Sequence, residues 1–282
     1  MKIVRNVTSS RTLSRFTLHD ALLTKKLQLK TDKLRIMNQT VAIVTGGGSG
    51  IGLAITEKFV QHNITTVIVG RDQEKLHQAK QKLGARCVPI VADLSDLEAI
   101  PTLVKQVITQ FGHIDILVNN AGINMKKEFT EVTNEDFLKV IQTNLVAVFA
   151  LTREVVKTML PHKKGSIINI SSMAAQYGIP KVIAYSASKT AIEGMTRAMA
   201  TELSPQGIRT NCIAPGFIAT DMTSKAFNAD AERKNKAMGR TPMGVMGHPG
   251  DIGDAALFLA TDSSRYITGV VLPVDGGNSI GF

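Results

Sequence analysis

The chain has 282 residues, 44% of them hydrophobic, and a formal charge of +10. That size and apolar content suit one large α/β domain with a sizeable core, and no uncharged apolar run reaches the roughly 18 residues of a membrane span. The charge is concentrated: residues 1–37 hold nine Lys/Arg against Asp20 and Asp32, which leaves only +3 for the remainder, and no nucleic-acid motif accompanies it.

The segment 1–37 is basic, rich in Ser/Thr and poor in acids. Those are traits of an organelle transit peptide. A disordered tail, or a misassigned start with Met37 as the true first residue, fits the same composition. The expected location is therefore the cytoplasm, or an organelle matrix if the leader is a transit signal. Cys87 and Cys212 have neither a disulfide-framework nor a metal-site spacing. They read as small core residues in a reducing compartment, and no metal site is expected.

From Thr40 the chain alternates two patterns. "TVAIV" (40–44) is a β-branched strand, and "LAITEKFV" (53–60) has helical apolar spacing. "TTVIVG" (65–70) is a strand, followed by a helix over 71–84 that Gly84 closes. "RCVPIVA" (86–92) is a strand, and 96–112 a helix with Pro101 as an irregularity. "IDILVNNAG" (114–122) is a strand running into a turn, and a long helix covers 134–160. "GSIINISS" (165–172) is a strand, 184–203 a helix, "IRTNCIAPG" (208–216) a strand, 251–261 a helix and 269–277 a last strand and turn. Such alternation implies right-handed crossovers and a parallel sheet covered on both faces. The expectation is a single domain over 38–282 with a doubly wound, seven-stranded parallel sheet of the Rossmann type. The stretch 217–248 interrupts the alternation and reads as a lid or binding loop.

"TGGGSGIG" (45–52) puts five glycines into eight residues at the first strand-to-helix turn. Glycine is costly to order, so the cluster needs a backbone reason. A helix N-terminus there offers N–H groups to a phosphate, and glycine allows the close approach. Further along, Tyr185 and Lys189 are four apart on a helix and share a face. An ammonium beside a phenol stabilises the phenolate, which suits a tyrosine for moving a proton to or from a carbonyl oxygen.

The glycine turn, "NNAG" after the fourth strand, Ser172 after the fifth, Tyr185-x-x-x-Lys189 and "PG" after the sixth occur in order. This set resembles the short-chain dehydrogenase/reductase family over residues 40–282. The resemblance implies hydride transfer between NAD(P) and a carbonyl or alcohol carbon. It implies Tyr185 as acid/base, Ser172 holding the substrate oxygen, and Asn144 in "QTNL" linking Lys189 to solvent through a water. Gly46, Gly48, Ser49, Gly50, Ile51 and Gly52 would cradle the cofactor. Asp93 would contact the adenine, Asn119 and Gly122 line the ribose side, and Thr220 hold the carboxamide. Leu94, Ala121, Tyr185, Lys189, Pro215, Gly216 and Ile218 complete the cofactor set.

NAD-selective relatives carry an acid at the end of the second strand; here Gly70 stands there and Arg71 follows. An arginine pairs with a 2′-phosphate, so NADP(H) is expected as the preferred cofactor, with NAD(H) possible. Arg71 also opens the helix, where the dipole disfavours a cation. The alternative reading is a solvated arginine neutralised by Asp72.

Two subgroups lie close. "APGFIATDMT" echoes 3-oxoacyl-[acyl-carrier-protein] reductases. Of that group's two basic docking places, one is present as Lys163 and Lys164 and the other is Gln206. "NAGINMKKE" and the length of 220–242 resemble gluconate 5-dehydrogenase-like enzymes. In those, Lys126 or Lys127 would receive a substrate carboxylate; solvated loop lysines are the plainer reading. The favoured substrate is a small polar sugar acid or polyol, with the acyl-carrier substrate and its carrier protein as the alternative. A nucleotide-binding regulator without catalysis would show a damaged Asn144, Ser172, Tyr185 and Lys189 set, and all four are intact. The family the chain resembles pairs subunits through the helices after the fourth and fifth strands, so the resemblance implies a homotetramer; the apolar load of 144–160 and 191–203, more than one sheet face can cover, agrees with it.

Overall fold

The computed structural model describes residues 39–220, 223 and 231–281. The leader over 1–37, the proposed domain start at residue 38, and residues 221–222 and 224–230 of the long insertion lie outside the described residues. Seven strands form one sheet: β1 (Val41–Thr45), β2 (Thr65–Gly70), β3 (Cys87–Val91), β4 (Ile116–Asn119), β5 (Gly165–Ile170), β6 (Ile208–Pro215) and β7 (Val271–Val274). All neighbours run parallel, in the order β3-β2-β1-β4-β5-β6-β7. The chain winds outward from β1 in one direction and from β4 in the other. The crevice where ligands bind in such sheets therefore opens beyond the carboxyl ends of β1 and β4.

Alternate residues of each strand feed opposite faces. Val41, Ile43, Val67, Val69, Leu117 and Ile167 pack with Val104 and Val107 of α3 (Ile100–Phe111) and with Leu151 and Val155 of α5 (Ala147–Met159). Ala42, Val44, Ile116, Val118 and Ile168 pack with Ile55 and Phe59 of α1 (Gly50–Gln61) and with Ile252 and Leu259 of α8 (Pro249–Ala260). Strands buried on both faces explain why they read as nearly unbroken apolar runs. The other helices are α2 (Gln73–Leu83), α4 (Asn134–Ile141), α6 (Ile183–Leu203) and α7 (Ala231–Arg240). No helix among the described residues is long and apolar enough to cross a membrane.

The helical region over 134–160 is present and carries a π-helical turn, Gln142–Val146, between α4 and α5. Two expectations about element ends are corrected. β5 stops at Ile170, so Ser172 lies beyond the strand, capping a short 3-10 turn over Met173–Ala175. Arg71 lies outside α2, because the N-cap is Asp72, whose carboxylate accepts from Lys75 N–H at 3.1 Å. The helix-dipole argument therefore does not apply to Arg71. Pro101 causes no break, since it occupies the first turn of α3, where no helical N–H partner is lost.

Candidate active site

The glycine turn holds β1 and α1 unusually close together. Gly46 has φ +66° and donates its N–H to Val69 O at 2.7 Å. A Cβ on Gly52 would sit 2.2 Å from the Gly46 carbonyl oxygen, a contact no side chain can make. Ser49 is the N-cap of α1, and its side chain caps no N–H. The first-turn N–H groups thus stand open to an outside anion. Ile51 anchors the turn by packing on the core beneath it.

A cleft of about 430 Å³ opens beside this turn, lined by Gly46, Gly48, Ser49, Gly70, Arg71, Asp72, Lys75 and Leu76. Arg71 faces Asp93 at 3.7 Å and is largely exposed. Asp72 pairs instead with Lys75 at 3.2 Å, so the expectation that Asp72 neutralises Arg71 is corrected. The Asp93 carboxyl is held below its ordinary range by Ser95, whose hydroxyl and N–H both donate to it; Arg71 adds a smaller effect. Leu94 turns partly into the core. The chemistry of this donor set suits a dinucleotide phosphate: open N–H groups, a wall without side chains, and cations at one end.

Beyond β4, Thr45 Oγ accepts from the N–H groups of Asn120 and Ala121, both at 2.9 Å, and Asn120 Nδ2 donates to Thr45 O at 2.9 Å. These bonds tie the "NNAG" turn to the end of β1. Asn119 sends its side chain inward, donating to Thr152 and Asn169 at 2.9 Å each. Only its backbone remains for a ligand. Gly122 lies against Asn144, where a Cβ would be 3.1 Å from Oδ1.

Asn144 is buried in the π-helical turn. Its Nδ2 donates to Ile123 O at 2.8 Å and to Ser188 Oγ at 3.1 Å, and its Oδ1 accepts from Ile123 N–H at 2.8 Å. Ser188 in turn donates to Tyr185 O at 2.7 Å. Lys189 is 5% exposed; its Nζ donates to Ile170 O at 2.7 Å and lies 5.6 Å from the Tyr185 ring centre. Ser172 Oγ accepts from Ala174 N–H, which holds the residue at the mouth of β5. Contacts thus link Asn144 through Ser188 to Tyr185, and Tyr185 to Lys189, while Ser172 stands two residues after Ile170, whose carbonyl holds Lys189. Pro215 ends β6, and Gly216 packs so closely on Asp275 that a Cβ would lie 2.6 Å from its Cα. Ile218 is buried and bridges to Gly247, while Thr220 sits over Gly50, 3.7 Å from the position of its absent Cβ.

Among the loop lysines, Lys127 is paired with Asp136 at 2.5 Å. Lys126 is exposed. Lys163, Lys164 and Gln206 are all exposed, and Gly207 packs on the Lys163 carbonyl, so the three side chains share one patch. That patch is at the amino ends of β5 and β6, opposite Ser172. Sequence reasoning missed Thr45, Asn120, Ser188 and Lys75. The first two stand inside quoted motifs, but their work is to join two turns, which no local pattern announces.

The family described as enoyl-(acyl carrier protein) reductase matches residues 46–279. The chain is 39% identical over 240 residues to a 3-oxoacyl-[acyl-carrier-protein] reductase of Thermotoga maritima, covering 84% of this chain and 96% of the relative. It superimposes on a variant of actinorhodin polyketide ketoreductase solved with NADPH, with TM-score 0.82, 30% identity and coverage of 86% and 98%. It also superimposes on a structure from Beutenbergia cavernae described as an NAD(P)-dependent gluconate 5-dehydrogenase with NADP at low occupancy, with TM-score 0.80, 36% identity and coverage of 86% and 98%.

Proposed function

The chain belongs to the short-chain dehydrogenase/reductase family, and we propose that this oxidoreductase of CH–OH and C=O groups prefers NADP(H) and acts on a small polar sugar acid or polyol. Two observations support the reading: Lys189 Nζ is anchored on Ile170 O and lies 5.6 Å from the Tyr185 ring centre, and the glycine turn shares one cleft with Arg71. Bound NADPH supplies a hydride to the carbonyl carbon. Tyr185 donates the proton that the carbonyl oxygen then takes up, and removes it in the reverse direction. Ser172 holds that oxygen by a hydrogen bond. Lys189, fixed by the Ile170 carbonyl, holds its Nζ 5.6 Å from the Tyr185 ring centre. Gly46, Gly48, Ser49, Gly50, Ile51 and Gly52 would hold the pyrophosphate side of the cofactor, and Arg71 its 2′-phosphate. Asp93 and Leu94 would lie by the adenine. The backbones of Asn119, Ala121 and Gly122 would line the ribose side, with Pro215, Gly216, Ile218 and Thr220 towards the nicotinamide.

The substrate reading rests on the exposed Lys126 beside the "NNAG" turn, since Lys127 is spent on Asp136. A second reading, 3-oxoacyl-[acyl-carrier-protein] reduction, is favoured by the relatives and by the joined Lys163–Lys164 patch. That patch lies a whole strand away from Ser172, roughly 20 Å at about 3.3 Å per residue. Neighbouring copies are expected: Phe149 on α5 is 47% exposed, and Ile183 at the start of α6 also reaches solvent. Both fit the interfaces of a homotetramer, which sedimentation at micromolar concentration would check.

The deciding measurement is NADPH oxidation with 5-ketogluconate, with free acetoacetyl thioester and with the thioester on carrier protein. Turnover of the keto acid alone supports the first reading. Turnover that requires the carrier overturns it in favour of the second.

A further inference from the structure

Glu193 is out of place on α6. It is 8% exposed, one turn after Lys189, and a carboxylate so buried is costly unless hydrogen bonds replace its water. Its described hydrogen-bond partner is Ser171, also buried, whose hydroxyl donates to Glu193 Oε1 at 2.9 Å. Ser171 stands between two residues the site depends on. The Ile170 carbonyl before it accepts from Lys189 Nζ at 2.7 Å, and Ser172 follows it.

The sheet ladder between β5 and β6 ends at the pair Ile170–Ile213. Past that pair, Ser171 is held in two directions. Its N–H donates to Ile213 O at 2.7 Å, and its hydroxyl reaches across to α6. The hydroxyl also lies 3.3 Å from Lys189 O. Its single hydrogen goes to the nearer and more basic carboxylate, a charge-assisted bond of the stronger kind. The Ile170 carbonyl shares its rigid peptide unit with the Ser171 N–H and stays pinned by Ile213; released from the Glu193 bond, the chain after Ser171 would be free to turn and carry the Ser172 hydroxyl with it.

We propose that Glu193 is a positioning residue: by holding the Ser171 hydroxyl it fixes the chain just beyond β5, so the Ser172 hydroxyl keeps one place beside the Ile170 carbonyl that anchors Lys189. This rests on the roles given above to Ser172, Tyr185 and Lys189. A misplacement of about 1 Å costs up to roughly a hundredfold in rate, because reacting groups must stay aligned.

The test uses the full chain with Glu193→Gln, Glu193→Leu, Ser171→Ala and, as control, Tyr185→Phe. The substrate is whichever of 5-ketogluconate or acetoacetyl thioester the parent enzyme reduces, and NADPH affinity and melting temperature are measured in parallel. Glu193→Leu and Ser171→Ala are expected to lose tenfold or more of kcat with the ketone KM within twofold. Glu193→Gln, which still accepts the serine hydrogen, is expected to keep at least half of kcat. Full kcat in Ser171→Ala, a Gln variant as damaged as Leu, or kcat losses that merely follow melting temperature and NADPH affinity would overturn the proposal. Ser171→Ala decides the matter even if Glu193→Leu does not fold. An active Tyr185→Phe would sink the underlying site reading instead, whereas an inactive Tyr185→Phe beside fully active Ser171 and Glu193 variants sinks the clamp alone.

Discussion

Asn144 and Ile123 exchange two hydrogen bonds of 2.8 Å, the side-chain amide of one closing on the backbone N–H and C=O of the other. The amide acts as a substitute strand for the loop leaving β4. It also occupies the π-helical turn, which frees backbone groups of the α4–α5 junction from ordinary helical pairing.

Asn144→Ala is expected to destabilise the fold by about 1 kcal/mol or somewhat more, since it leaves two partly buried backbone groups of Ile123 without their amide partner. Asn144→Asp should be nearly as harmful, because a carboxylate accepts from Ile123 N–H but repels Ile123 O. Urea denaturation of the two variants checks this; an unchanged midpoint for Asn144→Ala would refute it.

Tyr185→Phe should bind NADPH as the parent does and lose turnover by roughly a hundredfold to ten-thousandfold, the range for a removed acid/base. Cofactor affinity by fluorescence titration and kcat from steady-state kinetics separate the two effects. Retention of most of kcat would remove Tyr185 from the proton-donor role.

The sheet was legible because its strands are buried on both faces and so are written as β-branched runs. Tyr185 and Lys189 were legible because a helix places i and i+4 on one face. What escaped depends on partners far along the chain. The pairing of the Asn144 amide needs Ile123, twenty-one residues away. The inward turn of Asn119 needs Thr152 and Asn169. Arg71 finds Asp93 rather than its neighbour Asp72, because Asp72 is taken by the first turn of α2 and by Lys75. Lys127 was a substrate candidate until Asp136, nine residues on, claimed it. Spacing reports which face a residue shares, not which of several nearby charges it meets.

Gly52→Ala should cost more than any other alanine substitution in the glycine turn, since its Cβ would strike backbone at 2.2 Å rather than a yielding side chain. Gly84→Ala is the control. Its φ of +79° with ψ −156° is a conformation almost confined to glycine, so strain of about 1–3 kcal/mol is expected there, but nothing lies within 4 Å for a Cβ to strike. NADPH titration should show lost binding for the first variant and none for the second. Equal binding by both would mean that the turn does not cradle the cofactor.

Both thiols should be inert in the folded protein. Burial pushes Cys87 up to about 11 and Cys212 up to about 12. An acid whose folded pKa lies above its unfolded one stabilises the fold while protonated. That contribution is full below the unfolded value near 9 and is lost as the pH rises through the folded values. Iodoacetamide at pH 8 should label neither cysteine until urea is added, and stability should fall between pH 9 and 12. Rapid labelling of the native protein would show that a thiol is reachable.

Arg71 is expected to carry the NADP preference. A 2′-phosphate brings about −1.5 to −2 charges at pH 7, and Gly70 beside it offers no acid to repel them. A charge-assisted contact is worth about 1.5–3 kcal/mol, or roughly ten- to a hundredfold in affinity. The lower end applies, because Arg71 is 68% exposed and already shares its charge with Asp93. Arg71→Ala should therefore raise the KM for NADPH about tenfold and leave NADH nearly unchanged. Adding Gly70→Asp should reverse the preference, since a carboxylate accepts from the ribose 2′-OH and repels the phosphate. The site tolerates that side chain: a Cβ on Gly70 would meet Leu76 at 3.6 Å, an ordinary contact. Steady-state kinetics with both cofactors on the parent, the single and the double variant decide it. Equal losses for NADPH and NADH in Arg71→Ala would assign Arg71 to the adenine or to the fold, and the preference would have to come from Lys75 on the same cleft wall.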